Sequence, residues 1–231
     1  MNATAATLTA SPVVALPTRP RAVRTHTGSL RLATTPAARI VNSTAKRALD
    51  LTGALLGLLL AAPLLLLVAL AVRLEGGPGV IYRQERVGLG GATFTLYKLR
   101  SMRPVANEDA TTWTINGDPR VGPVGRLIRK TSIDELPQLW NVLRGDMSLV
   151  GPRPERPHFV DQFTATIPGY ADRHRAIPGL TGLAVVNGQR GADSSIPLRA
   201  HYDNLYIDTW TPTQDLRIIA RTLGRVLISG S

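Results

Sequence analysis

The sequence predicts an α/β fold attached to a membrane, and three stretches predict it. Residues 51–72 form a run of about 22 uncharged residues. As a helix rising about 1.5 Å per residue, such a run matches the roughly 30 Å hydrocarbon core of a bilayer. Residues 80–99 hold two strand-like segments around a glycine turn, and residues 215–228 repeat apolar side chains at the helical period.

Residues 1–45 are rich in Ala, Thr, Pro and Ser, with scattered arginines and no acid before Asp50. A composition that resists burial predicts a disordered basic tail. A cleaved secretory signal does not fit, because its apolar region would follow closely on the N-terminus. Within the apolar run, Pro63 removes a backbone hydrogen bond and predicts a bend. Arg39, Lys46 and Arg47 precede the run and Arg73, Arg83 and Arg86 follow it, so the charge asymmetry of a simple crossing is missing. On these features a kinked spanning helix and a re-entrant one both stay open.

The chain turns globular after Glu75. Gly76-Gly77-Pro78-Gly79 is a turn cluster, Val80-Ile81-Tyr82 a short strand, residues 88–91 a hairpin turn and residues 93–99 the alternating partner. Residues 105–116 read as a loop, residues 123–130 as a short helix and residues 132–143 as a second. Loops dominate from 149 to 195. In the segment 215–228, Leu216, Ile219, Ala220, Leu223, Val226 and Leu227 share one side and Arg217, Arg221 and Arg225 the other. That helix packs its apolar side on the core or lies in a membrane interface with its arginines toward acidic headgroups.

The formal net charge of +11 calls for anionic partners: nucleic acid, acidic lipid headgroups or phosphorylated small molecules. Only Lys46, Lys98 and Lys130 of the 27 basic residues are lysines, and arginine is the better bidentate phosphate binder. With aromatics at 5%, a stacked-ring platform for single-stranded nucleic acid is out of reach. The absence of cysteine excludes disulfides, thiolate zinc sites and Cys nucleophiles.

The chemistry concentrates in residues 132–154. Ser132-x-x-Glu135 matches a helix capping box, which accounts for adjacent acids without any catalysis. A carboxylate at a helix start is also favoured as the anion, which suits Asp134 as a nucleophile toward phosphorus. Glu135 beside it can share a divalent cation or move a proton. Pro152 and Pro154 stiffen the turn that carries Arg153, whose guanidinium suits phosphate oxygens; the structural alternative pairs it with Asp146 or Glu155. Lys98 and Arg100 share a strand face suited to a diphosphate. Pro178-Gly179 and Thr181-Gly182 allow close backbone approach, to a ligand or to neighbouring chain. His26, His158, His174 and His201 show no ligand spacing and read as surface or loop residues.

These elements resemble those of the bacterial sugar transferases, the monotopic phosphoglycosyl transferases, from residue 46 to about 227. The matching motifs are Lys46-Arg47-x-x-Asp50, Pro63, Arg83-Gln-x-Arg-x-Gly88, Tyr97-Lys-Leu-Arg-Ser-Met102, Asp118-Pro-Arg120, the long segment 132–154, Pro178-Gly-Leu-Thr-Gly182 and Val186-Asn-Gly188. The resemblance implies transfer of a sugar 1-phosphate from a UDP-sugar to a polyprenyl phosphate, usually undecaprenyl phosphate. UMP is released, Mg²⁺ is required, and the step opens exopolysaccharide or glycan assembly at the cytoplasmic face of the inner membrane. Asp134 inherits the covalent phosphosugar and Glu135 the partner role, both also holding the metal; Lys98, Arg100, Arg153 and Arg190 become the substrate-binding set. It further implies a monotopic protein, with a re-entrant helix over 46–75 broken near Pro63, a catalytic domain over 76–231 and amphipathic interfacial helices, in the family's minimal form.

Two departures stand out: Arg190 is displaced by one behind Gln189, and Ala62 precedes Pro63 where the family often has serine. The competing class is a non-catalytic basic membrane-bound scaffold or nucleic-acid-binding protein, which leaves the carboxylate–arginine cluster unexplained. The donor sugar is open, as is the choice between monomer and homodimer.

Overall fold

A computed structural model of the chain describes residues 42–76, 79–103, 118–191 and 194–228. The expected tail over 1–45, save its last four residues, and the expected loop over 105–116 lie outside these residues, as does His26.

The apolar run forms most of helix α1, Thr44–Gly76, 33 residues and therefore about 50 Å of helix. It is long and apolar enough to cross a membrane, and little of its apolar window is buried. Helical structure continues through Pro63, although the missing N–H deprives the Leu59 carbonyl of its donor. The expected break is therefore absent as an interruption of the helix. One stripe of α1 lies on the rest of the protein along both halves. Ala54 and Leu58 pack with Leu139 and Met147, while Leu65, Val68 and Val72 pack with Leu99 and Ile128. Close approach explains Gly53, where an added Cβ would stand 2.6 Å from Leu149 Cδ1. The opposite stripe, including Leu60 and Leu66, stays exposed at 81% and 73%.

Polar contacts fix both ends of α1. Lys46 Nζ meets Asp215 at 2.6 Å, and Arg47 donates to the Val142 and Leu143 carbonyls at 2.6 and 2.8 Å. At the far end the Glu75 carboxylate accepts from Val124 N at 3.0 Å and Gly125 N at 3.3 Å. Those are orphan amides of the next helix's first turn, where an acid is favoured.

Strands β1, Ile81–Val87, and β2, Thr93–Leu99, form an antiparallel hairpin in the register Ile81↔Leu99 to Val87↔Thr93. β1 is thus longer than the three residues expected. Helix α2 covers Pro123–Lys130 as expected. The second helix does not start at Ser132. A 3₁₀ turn, Ile133–Glu135, comes first, and α3 spans Gln138–Arg144 behind Pro137, closing on Gly145 in the left-handed region.

Residues 149–195 are more ordered than the loop expectation. They hold most of β3 (Ser148–Val150), helix α4 (Pro157–Thr166), a 3₁₀ segment (Tyr170–Arg175), β4 (Gly179–Thr181) and the short helix α5 (Leu183–Val186). β3 and β4 pair in parallel, Ser148↔Gly179 and Val150↔Thr181. A Cβ on Gly179 would fall 2.0 Å from the Gly151 nitrogen, so this glycine serves backbone-to-backbone packing, the second of the two readings of Pro178-Gly179.

Helix α6, Ile196–Thr209, and helix α7, Pro212–Ile228, complete the chain. Val150, Val186, Tyr206, Ile207 and Ile218 form the core between them and the parallel strands. The rotation of α7 differs from the apolar-side-in expectation: Ile218 is buried, whereas Leu216 and Leu223 are 55% and 59% exposed. Asp215 decides it. Its carboxylate is buried between Lys46 and the Tyr206 hydroxyl, the latter at 2.7 Å, and this charged anchor turns Leu216 outward.

Candidate active site

Ser132 has φ 62°, the one positive value for a non-glycine residue among those described. Such backbone is sparsely populated for side-chain-bearing residues and persists only where surroundings enforce it. It reverses the chain between α2 and the 3₁₀ turn, so that Asp134 and Glu135 are both buried, at 8% exposure each. The capping box is not formed, since the Ser132 side chain makes no cap bond. Glu135 instead points at cations.

Arg153 grips Glu135 with both guanidinium nitrogens, at 2.6 Å to Oε1 and 3.4 Å to Oε2. Arg190 donates to Oε2 at 3.0 Å, and Lys98 Nζ stands 3.7 Å from Oε1. Burial alone would raise the Glu135 pKa; Arg153 first, then Lys98 and Arg190, outweigh it and hold the carboxyl well below the usual carboxylate range. Glu135 in turn raises the Arg153 guanidinium. The Lys98 ammonium is pushed down to about 8 by burial, against the pull of Glu135.

Asp134 is different. Among the described residues none donates a hydrogen bond to its carboxylate, and burial followed by the neighbouring Glu135 charge pushes its pKa up to about 6. The result is a carboxylate that is ionised at neutral pH and, among the described residues, without a hydrogen-bond donor, the condition a nucleophile needs.

Of the residues expected in the site, Asp134, Glu135, Lys98, Arg153 and Arg190 converge. The one-residue displacement of Arg190 does not remove it from the cluster. Arg100, just beyond β2, lines a neighbouring recess with Glu75, Ser101, Arg103 and Arg120; it is not brought to Glu135. The alternative pairing of Arg153 is excluded: Asp146 pairs with Arg144, and Glu155 with Arg86 and Arg199. His158 and His201 are exposed as expected. His174 is partly buried, and burial, then Arg173, pushes its pKa down to about 4. Among the described residues no three His, Asp or Glu side chains are grouped to hold a metal.

Sequence reasoning missed the support behind the cluster. Arg173 donates to the Arg153 carbonyl at 2.7 Å, and Arg199 to the Gly191 carbonyl at 3.2 Å. The Arg86 of the Arg83-Gln-x-Arg motif was visible, but Glu155 figured only as a partner for Arg153, not for Arg86 and Arg199.

Residues 41–229 match the family model described as bacterial sugar transferase. The chain belongs to that family. The UDP-glucose:undecaprenyl-phosphate glucose-1-phosphate transferase of Caulobacter vibrioides is 49% identical over 195 residues, covering 83% of this chain and 73% of the relative. The protein of the same description from Escherichia coli strain K12 is 42% identical over 186 residues. The UDP-N-acetylgalactosamine-undecaprenyl-phosphate N-acetylgalactosaminephosphotransferase of Aeromonas hydrophila is 41% identical over 183. The chain spans 40% and 43% of the lengths of the last two, and 79% of this chain is matched in each. Within this sugar transferase the dyad, Arg153 and the 3₁₀ turn all fall inside the matched region.

Proposed function

We propose that the chain transfers a sugar 1-phosphate from a UDP-sugar to undecaprenyl phosphate by double displacement through Asp134. The observation that carries this reading is the asymmetry of the dyad: among the described residues none donates a hydrogen bond to Asp134, whereas Glu135 is held by Arg153, Arg190 and Lys98. The names of the relatives support the donor and acceptor classes. An Asp134 oxygen bonds to the phosphorus that carries the sugar, and the bond from that phosphorus to the bridging oxygen breaks, so UMP leaves with the electron pair. An oxygen of undecaprenyl phosphate then attacks the same phosphorus. The bond to Asp134 breaks, restoring the carboxylate and yielding the sugar-diphosphate lipid. Lys98, Arg153 and Arg190 offset the negative charge of the phosphates as it moves.

A magnesium ion fits the donor set in one respect. Asp134 and Glu135 supply hard oxygens, and Mg²⁺ is commonly held by one or two carboxylates with substrate phosphates and water as the remaining ligands. Asp134 is free to ligate, whereas Glu135 would first exchange contacts with its cations. Bound there, the ion would neutralise diphosphate charge.

The membrane seat follows from α1. Both of its ends, through Lys46, Arg47 and Glu75, hold the same polar body, and a bend at Pro63 that keeps the helix continuous would let it enter and leave by one leaflet. In this reading the site faces the cytoplasm, at the inner membrane. Cysteines introduced at Thr4 and Ser229 then react with an impermeant thiol reagent only after lysis. Reaction of the first alone in intact cells would instead mean a spanning helix.

Purified protein in lipid nanodiscs, given undecaprenyl phosphate and a panel of UDP-sugars, releases UMP from at least one donor and loses that activity in chelator. No UMP from any donor, or release of UDP, would overturn the reading. Because relatives are named for both glucose and N-acetylgalactosamine transfer, the same panel identifies the sugar.

A further inference from the structure

We propose that helix α6 positions both arginines of the site through two buried charges one turn apart on it, Arg199 and Asp203. The proposal rests on the reading that the arginines on Glu135 serve the transfer.

Asp203 and Arg173 are each 1% exposed. Asp203 accepts from Arg173 Nε at 3.0 Å, which fixes the plane of that guanidinium. Its other nitrogens then donate to the Tyr170 hydroxyl at 2.9 Å and to the Arg153 carbonyl at 2.7 Å. Arg199, 2% exposed, donates to Glu155 Oε1 at 2.7 Å and, through its other terminal nitrogen, to the Gly191 carbonyl and the Ser194 hydroxyl. Arg86 closes the arrangement by donating to Glu155 at 3.2 Å and to the Pro154 carbonyl at 3.1 Å. So the backbone at Arg153, and the residue that follows Arg190, are each held by a guanidinium that α6 orients or supplies.

Stability alone does not explain this. Buried ion pairs give back in attraction about what they lose in desolvation, and apolar residues of similar volume do as well or better. Among the described residues the buried Nε atoms of Arg86 and Arg199 find no acceptor, a further penalty. What an apolar replacement cannot do is donate to the carbonyls of Arg153 and Gly191. A planar fork already locked onto a carboxylate does that with little freedom left, and rigid backing is what holds site residues to productive geometry.

Arg173→Lys keeps a charge for Asp203 but loses the simultaneous donation to Arg153, and it lowers UMP release about ten-fold. In an Arg153→Lys background the same change costs less than about two-fold, because its effect runs through Arg153. Arg199→Lys lowers UMP release by no more than the roughly two- to five-fold of Arg190→Lys, loses most of that effect in an Arg190→Lys background, and multiplies normally with Arg153→Lys. Hydrogen exchange read by mass spectrometry gains locally at residues 150–156 and 188–195 in the respective variants, with the melting temperature of the remainder held. Losses that multiply fully in every background, or that track the folded fraction, would overturn the proposal. Should a lysine variant fail to fold, Asp203→Asn tests the same contact. If the wild type releases no UMP from any donor, the functional reading fails instead; unchanged local exchange in the variants would then overturn the positioning claim independently.

Discussion

The two sides of the turn Ile133–Glu135 differ in what surrounds their carboxylates. Glu135 meets Arg153, Arg190 and Lys98 within 3.7 Å, and its pKa is driven far down. Asp134, one residue earlier and equally buried, has no donor among the described residues and is pushed up to about 6. One acid is thereby a fixed counter-charge that organises cations, the other a poised anion with a free lone pair. Adjacency in sequence gave them the same burial; the cations of β2, the Arg153 turn and the Arg190 segment gave them different chemistry.

The sharpest way to break this comparison is Asp134→Asn. UMP release falls by about four orders of magnitude or more, yet the protein becomes more stable. A folded-state pKa raised above 3.8 means that the buried anion destabilises the fold above about pH 6. That penalty fades as pH falls toward the unfolded value. In chelator at pH 7.5 the Asn variant gains about 1–3 kcal/mol over wild type, and the gap narrows toward pH 4. A constant gap across that range would show that Asp134 is not the strained acid.

Arg153→Lys keeps the charge near Glu135 and loses the fork. Turnover falls about ten- to a hundred-fold, roughly 1.4–2.7 kcal/mol of transition-state stabilisation. The melting temperature changes little. Lost activity that follows a lowered melting temperature would make Arg153 structural. Arg190 is the most exposed of the three cations, at 40% for its side chain. A smaller effect is expected: Arg190→Lys lowers turnover about two- to five-fold. An effect as large as that of Arg153 would remove the ranking by burial.

The elements legible in the sequence were those marked by a pattern of apolar residues. Hydropathy marked α1, alternation marked β2 with its glycine turn, and the dyad stood out beside Arg153. The unread elements bury charge. In α6 the inward residues include Arg199 and Asp203, so no apolar stripe announced the helix. In α7 only the core-packing reading of the visible stripe failed, because buried Asp215 fixes the rotation that exposes Leu216 and Leu223. The capping-box pattern at Ser132 failed for a related reason: Glu135 is taken by three cations contributed from residues 98, 153 and 190, contacts with no local signature.

The most direct test of the nucleophile assignment omits the acceptor. Wild-type protein incubated with a UDP-sugar labelled at the sugar-bearing phosphate should release UMP in a burst no larger than the enzyme concentration. It should retain the label on the peptide that contains Asp134, and lose it when undecaprenyl phosphate is added. The Asp134→Asn variant should retain none. Label that persists in that variant, or that maps to Glu135 or another residue, would contradict the account.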